Sequence, residues 1–180
     1  MANTYTLHVA GLTRELPLCR ASDTLEFAAF IMLSDVELTV RTAEELLKKC
    51  PDFDIILTAE TKGIPLAYEM ARQTGKKYIT ARKSMKFYMT DPFTVKVKSI
   101  TTEKVQTLYL SQEDAALLKG RRILIADDVI STGESLIALE KLVNEAGGIT
   151  VGKAAVLAEG DSADRTDIIF LEKLPLFPKK

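Results

Sequence analysis

The densest chemistry in the chain lies in one run, Asp127, Asp128, Val129, Ile130, Ser131, Thr132, Gly133, Glu134 and Ser135, directly after the apolar stretch 123–126. Thr132 and Ser135 offer hydroxyl donors, and Gly133 lets the backbone approach an anion closely and take up positive φ. A helix opening here has first-turn amides without intrahelical partners and the positive end of its dipole, so a dianionic phosphate is the natural guest. The lysine-containing nucleotide loop GxxxxGK[ST] is absent. Asp127 and Asp128 would repel a phosphate if aimed at it. At a strand end they suit two vicinal hydroxyls, as on a ribose, and their charge would stabilise a developing oxocarbenium ion. Acidic strand ends and Ser-Thr-Gly turns are each common. The full ordered string after an apolar strand is not, which favours a sugar-phosphate site over a capped turn.

Three further groups could share that chemistry. Glu60, Thr61, Lys62 and Gly63 precede an apolar helix-like run. Gly63 would open it with exposed amides and Lys62 would add positive charge, although in isolation a simple turn with a solvated lysine is the favoured reading. Arg82, Lys83 and Lys86 form a compact cationic cluster, suited to a leaving group carrying several charges. Phe27 and Phe30 could stack on a flat ring, or could be core together with Ile31 and Met32.

These groups need elements to position them. Residues 4–9 and 12–19 alternate and read as a hairpin. Residues 24–33 are apolar and read as a helix, and 39–49 as an amphipathic helix stopped by Pro51. Strand, loop and helix then alternate: strands over 54–58, 77–81, 122–126, 149–158 and 167–171, and helices over 64–73 and 134–145. Gly75 is placed to cap the first of these helices. The pattern predicts an α/β fold with a parallel sheet flanked by helices, in which ligands bind beyond the carboxyl ends of the strands. All three loops above leave strands at that edge. Residues 83–112 form a long excursion with alternating segments, predicting a flexible β-hairpin that could act as a lid.

Composition narrows the class. The chain has 180 residues, 47% hydrophobic and 27% charged, which fits one domain over 1–180. A net charge of −1 leaves no basic excess for a nucleic-acid backbone. Two cysteines and one histidine are too few for a disulfide framework or a structural zinc site. No apolar run approaches the ~20 residues that span a bilayer, and no signal peptide is apparent, so no membrane partner and a cytoplasmic location are expected.

The run 123–135 resembles the signature of the type I phosphoribosyltransferases, and the resemblance extends over 54–161, strongest toward the adenine and xanthine enzymes. It implies the type I phosphoribosyltransferase fold with a flexible hairpin hood over about 83–112 and a base-pocket region over about 1–50. It also implies transfer of 5-phosphoribose from phosphoribosyl pyrophosphate to a purine, with adenine first in expectation. Xanthine, hypoxanthine or another base, or a non-catalytic sensor of the same sugar phosphate, are the alternatives. Asp127 and Asp128 would then be catalytic and, with the residues to Ser135, would hold the donor. Glu60, Thr61, Lys62, Gly63, Arg82, Lys83 and Lys86 would meet pyrophosphate, and Phe27 and Phe30 the base. Magnesium would ride on substrate oxygens rather than on protein side chains, and the family implies a homodimer. A cis peptide is expected at Thr61-Lys62. Near the hood tip lie Ser99, Thr101, Thr102 and Glu103; the glutamate of adenine enzymes falls on Thr101, so Glu103 receives no assigned role. The aromatic-Arg-Asp run of adenine enzymes is replaced by Phe27-Ala28-Ala29.

Overall fold

The computed structural model describes residues 3–98 and 105–179. In chain order its elements are β1 (Thr4–Val9), β2 (Leu12–Arg20), β3 (Leu25–Ala28), α1 (Val36–Leu47), β4 (Ile55–Ala59), α2 (Ile64–Thr74), β5 (Lys77–Ala81), β6 (Phe93–Lys98) and β7 (Val105–Leu110). They continue with α3 (Gln112–Leu118), β8 (Arg122–Ile130), α4 (Glu134–Glu145), β9 (Ile149–Glu159), a 3-10 turn (Gly160–Asp164), β10 (Ile169–Leu174) and β11 (Leu176–Pro178).

The N-terminal alternation forms the expected hairpin. β1 and β2 pair antiparallel up to Val9↔Leu12, around Ala10 and Gly11 at φ 52 and 76. Two consecutive positive φ values are what a two-residue hairpin loop with matching twist requires. The stretch 24–33 is not the helix that its apolar character predicts. β3 pairs with β2 on one side and with the distant β11 on the other, completing a four-stranded sheet β1-β2-β3-β11. Periodicity cannot separate a short apolar strand from a buried helix turn, and here non-local ladder pairing decides. α1 instead begins after Asp35, whose Oδ1 accepts from the Leu38 amide at 3.0 Å. Arg14 holds that cap from β2, 2.7 Å from Asp35 Oδ2.

The main sheet is five-stranded and wholly parallel, in the order β10-β9-β8-β4-β5. Its central strands are short apolar runs because both faces are covered. α1, α2 and the small sheet cover one face, burying Leu46, Met70 and Leu7. α4, α3 and the β6–β7 hairpin cover the other, burying Leu139, Leu118 and Leu108. The sequence pattern does not predict α3, because its seven residues, capped by Ser111, are too few to show a helical period. Among the described residues no helix is long and apolar enough to cross a membrane.

From the sheet centre, β4 leads through α2 to β5 in one direction, while β8 leads through α4 to β9 and β10 in the other. The crevice where such a sheet reverses direction, here between β4 and β8, is where ligands bind. β8 also outruns its neighbour. Its pairing with β4 ends at Leu57↔Ile125, while pairing with β9 continues to Ile130↔Ala158. Asp127 and Asp128 therefore lie on the strand itself, not in a loop after it, with no strand beside them on the β4 side.

Candidate active site

At that crevice a cavity of about 510 Å³ opens. Asp127 and Asp128 of β8 form its floor, Thr61 and Lys62 from the loop after β4 one side, and Ser131 and Ser135 another. A smaller cavity of about 40 Å³ adjoins it, lined by Asp127 and residues 129–136.

The small cavity follows from local sequence. Gly133 takes φ 78 and starts α4, whose N-terminus has no side-chain cap. An uncapped helix start beside a concave turn of Ser131, Thr132 and Ser135 is an anion cradle. The cradle is braced from outside. Ser162, buried in the turn after β9, donates its hydroxyl to the Ser131 carbonyl, and the Arg165 guanidinium packs against Gly133, where a Cβ would meet Nη1 at 2.6 Å. Arg165 is itself clamped by Asp167 at 2.7 Å.

The acidic pair is under electrostatic tension. Asp127 Oδ1 accepts from the Asp128 amide at 2.9 Å. Burial, and then the neighbouring Asp128 charge, push the Asp127 carboxyl up to about 7, with Lys83 drawing it down. Asp128 is 5% exposed at its side chain, and Lys62 Nζ stands 2.9 Å from its Oδ2. That contact lacks hydrogen-bond geometry, so among the described residues Asp128 Oδ2 is a buried acceptor without a hydrogen-bond donor. A buried acceptor in that condition is suited to a ligand hydroxyl.

The loop after β4 packs tightly onto β8. At Gly63 a Cβ would lie 2.4 Å from Thr58 Oγ1 and 2.8 Å from Asp127 Oδ1, so only glycine fits. The cis peptide of this loop is Glu60-Thr61, one bond earlier than the resemblance implies. Glu60 turns toward β5: its carboxylate accepts from the Lys83 amide at 2.9 Å and pairs with Arg82 at 3.0 Å and Lys86 at 3.2 Å. Burial opposes its charge, but those three donors outweigh it and hold Glu60 below the usual carboxylate range. Of the cationic cluster, Lys83 lines the large cavity, whereas Arg82 and Lys86 are gathered on Glu60.

The remaining wall comes from the small sheet. Phe27 is half-buried and Phe30 is 3% exposed, and both line the cavity with Ile31, which is 57% exposed. Met32 is fully buried core. Ser99, Thr101, Thr102 and Glu103 lie outside the described residues.

The model of the phosphoribosyl transferase domain matches residues 33–174. The chain belongs to the phosphoribosyl transferase domain family. Within that family it is 35% identical over 114 residues to a hypoxanthine/guanine phosphoribosyltransferase of Methanococcus voltae, covering 63% of this chain and 57% of the relative. It is 34% identical over 114 residues to an adenine phosphoribosyltransferase of Petrotoga mobilis, covering 63% and 62%. The chain thus spans about three fifths of the length of these two relatives. The adenine phosphoribosyltransferase structure from Thermoanaerobacter pseudethanolicus superposes with a TM-score of 0.72 at 24% identity, over 88% of this chain and 95% of that one. This likeness places the chain in the phosphoribosyl transferase fold, with its parallel sheet flanked by helices.

Four residues that line or brace these cavities are not indicated by the sequence pattern. Ser162 and Arg165 brace the loop, and Glu159 and Leu174 complete the far wall of the large cavity together with Phe27. Leu174 is an ordinary core residue by type, and the other three sit in an unremarkable polar stretch. Only strand register, Leu174↔Glu159, brings that wall together.

Proposed function

We propose that the chain is a purine phosphoribosyltransferase of nucleotide salvage, a pentosyltransferase with adenine as its first acceptor. The observation that carries this is the joining, in one cavity at the strand-order reversal, of an uncapped helix start, two strand-end carboxylates and a lysine on each flank. The relatives named adenine phosphoribosyltransferase support the acceptor.

In this reading residues 129–135 hold the 5-phosphate, and Asp127 and Asp128 accept hydrogen bonds from the ribose hydroxyls. The loop 60–63, with Lys83, Arg82 and Lys86, meets the pyrophosphate. Phe27 and Phe30 face the purine. The C1–O bond to pyrophosphate breaks with its electron pair leaving on the pyrophosphate, and a purine ring nitrogen forms the new bond to C1, then loses its proton. Asp127 and Asp128 stabilise the positive charge that develops on the sugar between these events. Donors fixed in place before the reaction need no reorganisation during it, which is where such a site gains its rate.

Among the described residues no group of three or more His, Cys, Asp or Glu side chains could hold a metal ion unaided. Two adjacent carboxylates beside an anion site fit magnesium, which keeps most of its ligands from phosphate and hydroxyl oxygens. When bound it would neutralise charge on the leaving group. One domain over 1–180 with its hood over about 83–112, a homodimer and a cytoplasmic setting complete the proposal. A second reading, a 6-oxopurine acceptor, is favoured by the relative named for hypoxanthine and guanine.

The test is a panel of adenine, hypoxanthine, guanine and xanthine with phosphoribosyl pyrophosphate and magnesium, read by pyrophosphate and nucleotide formation. Adenine is expected to give the largest kcat/KM. No release with any of these bases would leave a non-catalytic sensor of the donor as the reading.

A further inference from the structure

One acid in the large cavity is not used by the donor half of the reaction. Glu159 ends β9, one residue beyond the Ile130↔Ala158 pair, and lines the cavity. It is half-buried, and among the described residues its carboxylate makes no hydrogen bond or close ion pair. Burial holds it above the ordinary carboxylate range, against the pull of Lys62. Its position ties the two sheets together. Its strand partner Leu174 lines the same cavity, and two residues on Leu176 pairs with Phe27. Gly160 packs so closely on Leu176 that a Cβ would meet Cδ1 at 3.0 Å.

Sheet order leaves one place for a flat acceptor. The proposed pyrophosphate groups stand at the ends of β4 and β5, and the sugar phosphate at β8. What remains is the β9–β10 side, walled by Phe27 and Leu174, with Glu159 as its acid. We propose that Glu159 is a specificity-determining residue: its carboxylate accepts a hydrogen bond from the exocyclic amino group of the purine, selecting 6-aminopurines over 6-oxopurines. This rests on the reading of the chain as a purine phosphoribosyltransferase. The chemistry is that of donor and acceptor count. An amino group donates to a carboxylate, whereas a 6-oxo group turns lone pairs toward it. A partly buried acceptor left unsatisfied, or faced by another acceptor, penalises the wrong base.

The experiment measures kcat/KM for adenine and hypoxanthine, with saturating phosphoribosyl pyrophosphate, in the wild type, Glu159→Gln and Glu159→Ala. The wild type is expected to prefer adenine. The adenine-to-hypoxanthine ratio should fall at least about tenfold in both variants, because an amide can also donate to a 6-oxo group and alanine reads neither. The KM for phosphoribosyl pyrophosphate and the melting temperature should stay at wild-type values, which a merely structural role would not allow. Glu159→Gln, nearly isosteric at a side chain with no partner, carries the test if the alanine variant does not fold. An unchanged ratio, or a wild-type preference for hypoxanthine, overturns the role of Glu159 and leaves purine transfer standing. A wild type that transfers to no purine overturns both.

Discussion

Asp127 is the residue whose protonation should be visible without any substrate. Its carboxyl is raised to about 7 by burial and by Asp128, whereas in the unfolded chain it titrates near ~3.9. Below the lower value both states hold the proton and the contribution to stability is complete. Between the two, the folded chain keeps a proton that the unfolded chain has released, so stability falls as pH rises through about 7. Ligand-free protein melted from about pH 5 to about pH 8 should therefore lose on the order of 2 kcal/mol that Asp127→Asn does not lose. Parallel stability curves for the two proteins would count against a strained acidic pair. The gathering of Asp127, Asp128 and residues 131–135 around the two adjoining cavities is legible from sequence because they are contiguous, and a contiguous run of unlike chemistry stands out. Glu159, Ser162 and Arg165 are not, because a lone Glu, Ser or Arg acquires meaning only when strand register brings it to the cavity.

At the scale of elements, the join between the loop after β4 and the end of β8 is the critical contact. Gly63 starts α2 in the space between Thr58 Oγ1 and Asp127, and any Cβ would enter that space. Gly63→Ala must push either the loop or Asp127 aside. Overpacking of this kind costs about 1–3 kcal/mol, and here it also misplaces an acid that, in the proposed function, faces the sugar. We expect a lower melting temperature together with a KM for phosphoribosyl pyrophosphate raised about tenfold or more, since displacements near 1 Å are costly in such sites. A Gly63→Ala protein that melts and turns over like the wild type would show that the loop has slack. The parallel strands and their helices were legible because each is a local pattern: an apolar run, a helical stripe, a glycine stop at Gly75. The apolar pattern of residues 24–33 predicts a helix where β3 stands, because β3 is set by β11, which lies at the other end of the chain. β8 ran further than its apolar run predicts because β9 goes on pairing with it past Asp127.

Over the whole molecule, a net charge of −1 conceals a strongly sorted interior. Acids lie on the floor between β4 and β8, cations on the β4 and β5 side, and apolar residues on the β9 and β10 side. That sorting is a consequence of topology, because the chain leaves the middle of the sheet in opposite directions and so delivers unlike loops to one edge. In the proposed function this sorting corresponds to a donor half built from charge and an acceptor half built from shape and a single carboxylate. In that proposed function the strand-end carboxylates act on the reacting sugar rather than only hold it. The most direct test compares kcat for adenine transfer and the Kd for phosphoribosyl pyrophosphate in the wild type, in Asp128→Asn, and in Glu113→Gln, an exposed position away from the cavity. Asp128→Asn is expected to lower kcat by about 10²-fold or more while the Kd moves by less than about tenfold, with Glu113→Gln unchanged. Equal effects in Asp128→Asn and Glu113→Gln, or a loss in Asp128→Asn confined to Kd, would contradict it.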